Sequence, residues 1–442
     1  MNDQMAKQND IIKGNPSKGI IGSTLGFFIG FTAVVALGAT IKFFEPGLKA
    51  SGATDAMIGL LVAMPNLSGS LLRIPFAAWS DSIGGRKPML ILLILALIGL
   101  FGLVLVGYLI YPAINLGHYA LLLLFGFLSG CGIATFSVGI SQTSYWFKKI
   151  EQGKALGVYA GVGNLAPGIF SLIMAVTLAL WGLGGSYLLW FLVLVGGTIV
   201  YFFIGLNAWS FQLEKQGIGK EEAKKIAITY GQEMFSSKNL KESLVKSASI
   251  WRTWALVGLY FTTFGGFIGL GTWFPRFWPN LYGTGNIMIG EVGISIALIL
   301  NATFIIVGSL VRVFSGSIAD KITGYRVTLL GIFVLLTGSI VMIVASSFIW
   351  LAIGAMIILA IGMGMVNAGV FKMVPGAVPE AVGGAAGWVG GLGALGGFII
   401  PPLMGFFVDA YSILGYSLGF ILFVILSLLC LGIVILLRKK ES

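Results

Sequence analysis

The sequence predicts an all-α integral membrane protein with twelve transmembrane helices, arranged as two pseudo-symmetric six-helix bundles. Three observations lead to this fold class. The 442-residue chain is 57% hydrophobic and only 10% charged, which leaves too few polar residues to cover the surface of a soluble protein of this size. Twelve apolar segments are each long enough to cross a bilayer. A thirteen-residue motif recurs once in each half of the chain, which indicates an internal repeat.

The twelve predicted spans follow a polar N-terminal segment, residues 1–18. The apolar runs are long and continuous, whereas a β-barrel would show short alternating segments. The first run is also too long for the apolar region of a cleavable signal peptide. The predicted spans are residues 20–43, 54–78, 88–111, 118–142, 153–178, 187–207, 251–274, 287–316, 326–346, 348–371, 384–408 and 414–437.

The net charge of +11 would suit a nucleic-acid partner, but its distribution along the chain argues against one. If the N-terminus is cytoplasmic, 22 of the 27 Lys and Arg residues fall on cytoplasmic segments. The predicted outside segments carry only Lys42, Lys49 and Arg276. This is the positive-inside pattern. We therefore expect a multi-pass monomer in the lipid of the cell membrane, with both termini in the cytoplasm and no nucleic-acid partner.

One polar stretch divides the chain into two sets of six spans. Residues 208–250 carry seven lysines interleaved with glutamates at helical spacings, which predicts one or two amphipathic surface helices. The predicted domains are an N-terminal six-helix bundle at 1–207, a cytoplasmic linker at 208–250 and a C-terminal six-helix bundle at 251–442. Two such parallel repeats are typical of a transporter that binds its substrate near the bilayer midplane, between the repeats.

The repeated motif places an arginine inside the second span of each half. The first copy, GSLLRIPFAAWSD, covers residues 69–81, and the second, GSLVRVFSGSIAD, lies 239 positions later. Arg73 and Arg312 are both flanked by small residues four positions away on either side, which leaves room for a ligand. A charge at this depth is costly and usually functional. We interpret the two arginines as a substrate site, against the alternative that they only stabilise helix packing.

No acidic residue is predicted at the depth of these arginines, because all 16 Asp and Glu fall in loops, termini or the last turn of a span. The counter-charge must then come from the substrate, which makes the substrate an anion. A guanidinium is a planar donor fork that grips a planar oxyanion at two points and keeps its proton. Two facing forks suit a small, flat, singly charged anion, although phosphate, sugar phosphates and dicarboxylates satisfy the same argument.

Two spans are rich in glycine: the fifth contains AGVGNLAPGIF and the eleventh contains GWVGGLGALGGFIIPP. Parts of both match a dinucleotide-binding fingerprint, but that fingerprint requires a preceding β-strand, so we expect no cofactor. Small residues let helices pack closely and let two surfaces slide as the halves rock, while Asn164 adds a polar group facing the cavity. The glycines to which we assign this role are Gly161, Gly163, Gly387, Gly390, Gly391 and Gly393.

Together these motifs resemble the nitrate/nitrite porters of the major facilitator superfamily, and the likeness covers essentially all of the spans. WSDSIGGRK resembles the superfamily's loop signature after the second span, and GSIADKITGYR is its second-half counterpart. GKALGVYAGVGNLAPG and GWVGGLGALGGF resemble the two glycine-rich nitrate signatures, and GVFKMVP also matches the family pattern. The resemblance implies the major facilitator fold and a carrier that moves nitrate or nitrite by alternating access.

The resemblance also implies roles for individual residues. The two arginines would bind nitrate, the asparagine and tyrosine would contact it, and the two phenylalanines would sandwich it: Arg73, Arg312, Asn164, Tyr260, Phe136 and Phe264. The sequence departs from the family at Ala166, where glycine is usual, and at Ala134-Thr135, where Gly-Asn is common. Pro167 can also kink its helix, so a preference between nitrate and nitrite does not transfer.

The loop signatures imply a second set of roles. Asp81 and Asp320 would tether the cytoplasmic ends of helices, with Arg86 and Arg326 as available partners. We expect these residues to bias the equilibrium between inward-facing and outward-facing conformations.

A membrane-embedded enzyme is the alternative from a different class. It would need intramembrane His, Cys, Asp or Glu for a metal, haem or proton transfer, but the chain has one histidine and two widely separated cysteines. A cation-exporting drug transporter would carry a buried acid in place of two arginines, whereas a carrier for another small anion remains open. The lack of a predicted mid-membrane acid favours nitrate-for-nitrite exchange, with proton-coupled nitrate symport as the alternative.

Overall fold

The structure is a computed structural model that describes residues 12–232 and 240–438. We number its helices and strands in chain order. The helices of the first half are α1 (Pro16–Phe31), α2 (Ile41–Ala50), α3 (Asp55–Leu71), α4 (Arg73–Ile83), α5 (Arg86–Leu105), α6 (Tyr119–Gly130), α7 (Thr135–Ser144) and α8 (Lys149–Ile204).

Among the described residues, the linker contains three short helices, and two strands interrupt the helices of the second half. The linker contains α9 (Trp209–Lys215), α10 (Lys220–Thr229) and α11 (Leu240–Ala248). The second half contains α12 (Trp251–Tyr260), α13 (Gly266–Tyr282), β1 (Asn286–Ile289), β2 (Val292–Ser295), α14 (Ile296–Ile322), α15 (Gly324–Val344), α16 (Ile349–Ala377), α17 (Val382–Leu392), α18 (Gly396–Tyr411), α19 (Gly415–Leu418) and α20 (Ile421–Arg438).

The described residues contain eleven helical segments long and apolar enough to cross a membrane, and one of them is a folded-back pair. That segment, Ala155–Ile204, turns at Gly182, where φ is 62° and ψ is −165°, a conformation that essentially only glycine adopts. The ring centroids of Phe170 and Trp190 lie 5.4 Å apart, although twenty residues of straight helix would separate them by about 30 Å. The all-α membrane fold with twelve spans is therefore confirmed.

Two segments predicted as outside loops are helical. The predicted first and seventh spans end at residues 43 and 274, but α2 continues to Ala50 and α13 to Tyr282. The prediction that Glu45 and Arg276 lie in loops is therefore wrong. The physical reason is that α13 buries aromatic rings around Arg276, including Trp273 and Phe277, which are both 0% exposed. Burial of these rings keeps the segment packed as a helix.

The eighth span begins later than predicted because a β-hairpin precedes it. Strands β1 and β2 pair antiparallel, and a two-residue turn joins them at Gly290-Glu291, with Gly290 at a φ of 61°. Helix α14 then runs from Ile296 to Ile322, whereas the predicted span covered 287–316.

The internal repeat extends to the backbone. Helix α4 ends at Ile83 and α14 ends at Ile322, positions that are 239 apart, like the two arginines. The next residue has nearly the same conformation in both copies: Gly84 has φ 84° and ψ 155°, and Thr323 has φ 86° and ψ 146°. Threonine rarely adopts a positive φ, so the second copy keeps the turn at the cost of local strain.

The two halves meet mainly along two helix pairs, α3 with α18 and α8 with α14. We call the end of the molecule that carries Pro16, the linker helices and Arg438 the linker end. The opposite end, with the hairpin and Gly182, is the far end. Towards the far end α3 and α18 touch backbone to backbone. A methyl group at Gly59 would lie 2.5 Å from the Pro401 carbonyl oxygen, and one at Gly405 would lie 2.7 Å from the Ala56 Cα.

The linker docks on both halves at the linker end. On the first half, the Gln212 amide of α9 both accepts from the Lys13 N–H at 2.8 Å and donates to the Lys13 carbonyl at 2.9 Å. On the second half, the Ser243 Oγ of α11 accepts from the Gly384 N–H at 3.0 Å, and the indole of Trp388 donates to the Leu244 carbonyl at 3.0 Å. The linker has three helices among the described residues, where the sequence predicts one or two.

Candidate substrate site

The two repeated arginines lie at the same depth in the bundle. Ten residues follow Arg73 in α4, and ten follow Arg312 in α14, so each lies about 15 Å from the linker end of its helix. Arg73 is the first residue of α4, just after the second span is interrupted at Leu72. Its side chain is 1% exposed, and Arg312 is partly buried.

Aromatic rings surround both guanidinium groups. The Arg73 Cζ lies 4.9 Å from the Phe136 ring centroid and 5.4 Å from that of Phe264. The Arg312 Cζ lies 5.3 Å from the same Phe264 ring, so the two Cζ atoms are no farther apart than the sum of their distances to it. Ring faces attract cations, which helps to stabilise two like charges at close range. The structure thus brings both arginines and both phenylalanines together.

The two phenylalanines come from different halves and face each other. Phe136 lies in α7, and Phe264 lies in a π-helical turn, Phe261–Gly265, between α12 and α13. Their ring centroids are 6.3 Å apart and their planes differ by 28°. A π-helical turn inside a helix often marks a functional position, and here it turns the Phe264 ring towards the other half.

Hydrogen-bond donors of both arginines lack partners. Arg73 Nη1 donates to the Gly390 carbonyl in the other half at 2.7 Å. Arg73 Nε and Nη2, and Arg312 Nη1, are buried without a hydrogen-bond partner in the described part of the chain. The ion pairs among the described residues do not include either arginine. A buried cation with free donors requires an anion or water.

The Asn164 and Tyr260 side chains are also buried with unused polar groups. Both amide atoms of Asn164 and the Tyr260 hydroxyl lack partners within 12–232 and 240–438. The Tyr260 ring stacks on Phe264 at 4.7 Å and lies 5.9 Å from the Arg312 Cζ. It joins Phe136 and Phe264 in the group of rings around the two arginines, which we call the cage. The Asn164 backbone carbonyl accepts from Ser309 Oγ at 3.0 Å, three residues before Arg312.

The glycines differ in how closely they pack. A methyl group at Gly161 would meet Val313 at 2.9 Å, one at Gly391 would meet Ile74 at 2.9 Å, and one at Gly393 would meet Tyr260 at 2.8 Å. Gly163 packs directly on the Phe27 ring. Gly387 and Gly390 have ordinary clearances of 3.5 and 3.8 Å. Close packing therefore applies to the first four glycines, whereas Gly390 contributes its carbonyl to Arg73.

The loop residues have partners other than those expected. Asp81 accepts a hydrogen bond from the Tyr145 hydroxyl at 2.8 Å. Arg86 donates to the Phe202 carbonyl at 2.6 Å, so the expected partnership of Asp81 with Arg86 is not formed in this structure. The Arg326 side chain is exposed, and the side chain of Asp320 lies outside the described part. A gating role for these residues stays a prediction.

Two cage residues were missed from the sequence. The Tyr159 hydroxyl donates to the Phe136 carbonyl at 2.7 Å, and its ring stacks on Phe136 at 6.4 Å. Phe371 lies 5.8 Å from the Arg312 Cζ and packs edge-on against Tyr260. Both occur in motifs that carry the family resemblance, so position within those motifs was the available signal. Among the described residues, no group of three His, Cys, Asp or Glu side chains is arranged to hold a metal.

Comparison with known proteins agrees with the family resemblance of the sequence motifs. The model of the Major Facilitator Superfamily matches residues 20–401. Among curated proteins, "Probable nitrate/nitrite antiporter NarK1" of Thermus thermophilus is 29% identical over 91% of this chain and 87% of its own length. "Probable nitrate transporter NarT" of Staphylococcus epidermidis is 28% identical over 95% of this chain and 96% of its own length.

Two further similarities cover nearly the whole chain. The "Nitrite extrusion protein" of Bacillus subtilis is 26% identical over 90% of this chain and 88% of its own length. A solved structure of the xylose transporter XylE from E. coli, in a partially occluded inward open conformation, superposes with a TM-score of 0.68 at 15% identity, over 97% of this chain and 98% of that one. At that identity, the structural likeness concerns the fold alone.

Proposed function

This chain belongs to the major facilitator superfamily, and we propose that it carries nitrate and nitrite across the membrane by alternating access. Membership makes it a multi-span secondary transporter and not an enzyme. The identity of the substrate is our inference. It draws support from the relatives named for nitrate and nitrite and, above all, from the unpaired donors of Arg73 between two aromatic rings.

The cage geometry favours a flat anion over a tetrahedral one. Two rings that sandwich a planar group need a separation of about 7 Å, twice the normal contact distance between carbon atoms. Phe136 and Phe264 are 6.3 Å apart, so only a small adjustment admits a planar ion. Nitrate then presents three oxygens in the plane where the free N–H groups of Arg73 and Arg312 can reach them. Phosphate is thicker and would force the rings farther apart.

Binding couples the two halves because the cage has walls from both. Arg73 and Phe136 belong to the first half, and Arg312 and Phe264 belong to the second. An anion that bonds to both arginines neutralises their repulsion and draws the halves together around it. We propose that residues 1–207 and 251–442 rock as two bodies about this anion, with 208–250 linking them.

Exchange follows from the charge of the empty site. Without an anion, two guanidinium groups that lie 5.4 and 5.3 Å from the same Phe264 ring are at most about 11 Å apart and repel by roughly 1.5 kcal/mol or more at an effective dielectric constant near 20. Closing an empty cage is therefore unfavourable, whereas a loaded cage closes readily. This favours nitrate-for-nitrite exchange over net transport of either anion. Proton-coupled nitrate symport is the competing mechanism.

The orientation follows from charge. The linker end carries the lysine-rich helices, and the positive-inside rule assigns such segments to the cytoplasm. We propose that this end faces the cytoplasm and that the far end faces outward across the cell membrane. We further propose that the protein acts as a monomer, because each chain contains a complete cage.

The test is uptake of labelled nitrate into proteoliposomes. Internal nitrite should accelerate uptake strongly, and an imposed pH gradient without internal anion should not. Uptake driven by the pH gradient alone would replace exchange with proton symport. Absence of nitrate transport and nitrate binding in well-folded protein would overturn the substrate assignment.

A further inference from the structure

A second buried arginine lies at the far end of the molecule. Arg276, on α13, is 1% exposed. Its Nε is 3.0 Å from each carboxylate oxygen of Glu45, and its Nη2 donates to Glu45 Oε1 at 2.6 Å. Nη2 also contacts Asp55 Oδ1. Arg276 therefore holds the Glu45 carboxylate with two of its nitrogens, in the two-point arrangement typical of arginine and a planar oxyanion.

This ion cluster connects the two halves of the chain. Glu45 of α2 and Asp55 of α3 belong to the first half, and Arg276 belongs to the second. A reciprocal contact lies beside it, because Asp409 of α18 accepts from the backbone N–H groups of Asp55 and Ala56 at 2.6 and 2.9 Å. If the halves part at the far end, Arg276 must lose both carboxylates of the first half.

The surroundings of Arg276 resemble those of Arg73. The Arg276 Cζ lies 5.1 Å from the Trp273 ring centroid and 5.4 Å from that of Tyr416, and the corresponding distances at Arg73 are 4.9 and 5.4 Å. Both arginines are fully buried and keep free donors. Arg276 Nη1 and the indole N–H of Trp273 have no partner among the described residues. The difference is that a carboxylate of this chain already occupies the fork of Arg276.

We propose that Arg276 is an outer anion-binding site, which Glu45 occupies while the far end is closed and which incoming nitrate or nitrite occupies when it opens. This inference rests on the proposed function. A carboxylate and a nitrate are both planar and present two oxygens at similar spacing to a guanidinium fork. Glu45 thus acts as a tethered substitute for the substrate, and its departure with the first half frees the fork for the incoming ion.

Asp409 is the competing counter-charge. It lies on the same half as Arg276 and would lose its own N–H partners on opening. Asp409 forms no ion pair with Arg276 among the described residues. The acidic partners of Arg276 there are Glu45 and Asp55, and Asp55 also pairs with Lys49. If Asp409 swung to Arg276 in the open state, no outer site would form, and the experiment below separates these cases.

The test compares Glu45→Gln with the double variant Glu45→Gln/Arg276→Gln in proteoliposomes of known sidedness. The double variant is used because Arg276→Gln alone would leave the Glu45 carboxylate without its cation, whereas Asp55 keeps Lys49. The measured quantity is the half-saturating concentration of nitrate applied at the far end, with nitrite inside. Glu45→Gln removes the competing carboxylate and should lower this concentration. The double variant lacks the fork and should raise it roughly tenfold or more above the Glu45→Gln value, as expected for one lost charge-assisted contact.

Each outcome has a distinct meaning. If both variants change the half-saturating concentration by the same factor relative to the wild type, the cluster is only a latch between the halves, and the proposed site is refuted. If both variants keep the wild-type value, Asp409 neutralises Arg276, which also refutes the site. The half-saturating concentration for nitrate applied at the linker end should change less than about twofold, because that path does not pass Arg276. If the wild type itself neither binds nor exchanges nitrate, the proposed function fails instead.

Discussion

Replacing Arg73 with lysine keeps the charge and removes the fork. Arg73 Nη1 is committed to the Gly390 carbonyl, and Nε and Nη2 are the free donors available to an anion. A lysine ammonium is a compact point charge that cannot make both contacts at once. We expect well-folded Arg73→Lys protein to lose nitrate transport.

The size of the loss follows from burial. Arg73 is 1% exposed and enclosed by two aromatic rings, so water cannot replace the missing contact. Losing a charge-assisted contact in such a site costs about 2–5 kcal/mol, which corresponds to roughly thirtyfold to several thousandfold weaker binding. The double variant Arg73→Lys/Arg312→Lys should be little worse than either single one, because one lost fork already prevents two-sided binding.

The assay is equilibrium binding of nitrate to purified protein, together with uptake into proteoliposomes. Arg252→Lys is a matched control, because Arg252 also donates to a backbone carbonyl, that of Ala377 at 3.3 Å, but has no part in the cage. It should retain ordinary affinity. If Arg73→Lys has the thermal stability of the wild type and ordinary nitrate affinity, the arginine-fork explanation is wrong.

Four further variants probe the substrate site, the glycine packing beside it and the turn that follows α14. Asn164→Ala should weaken nitrate binding by about tenfold with normal expression and thermal stability, since its amide forms no hydrogen bond within the described part of the chain; unchanged affinity would reduce it to a packing residue. Gly393→Ala should impair transport by displacing the Tyr260 ring, whereas Gly387→Ala, with its 3.5 Å clearance, should be tolerated, and equal activities would contradict this. Thr323→Gly should raise the thermal unfolding temperature by relieving about 1 kcal/mol of backbone strain. A lower temperature would show that the hydrogen bond which Thr323 Oγ1 accepts from the Arg326 N–H at 3.4 Å matters more.

The arginine pair of the site could be predicted from the sequence because it depends on local patterns. Arg73 and Arg312 stand out in long apolar runs, and the 239-residue offset pairs them without knowledge of the fold. The phenylalanines and Tyr260 required a family resemblance, because nothing in the spacing of Phe136 and Phe264 distinguishes cage rings from ordinary core.

Contacts between the two halves could not be predicted from the sequence. Glu45 and Arg276 lie 231 residues apart, and each looked like a loop residue near the end of an apolar run. Their pairing depends on how the halves dock, as does the bond from Arg73 to the Gly390 carbonyl. The linker was also underestimated, since α11 docks on the second half through hydrogen bonds to Gly384 and Trp388, which the local sequence does not show.

The backbone-to-backbone contact of α3 with α18 gives the far end an unusual sensitivity to volume. At Gly59 and Gly405 no side chain separates the two helices, so there is nothing that can rotate aside to absorb an added group. A single methyl group at either position is therefore a wedge between the halves, placed away from the cage, and the one at Gly405 would press on the backbone of Asp55, beside the Arg276 ion cluster. Such wedges offer a chemical means of holding the carrier open at one end, which is what the selection of conformation-specific antibodies or inhibitors requires.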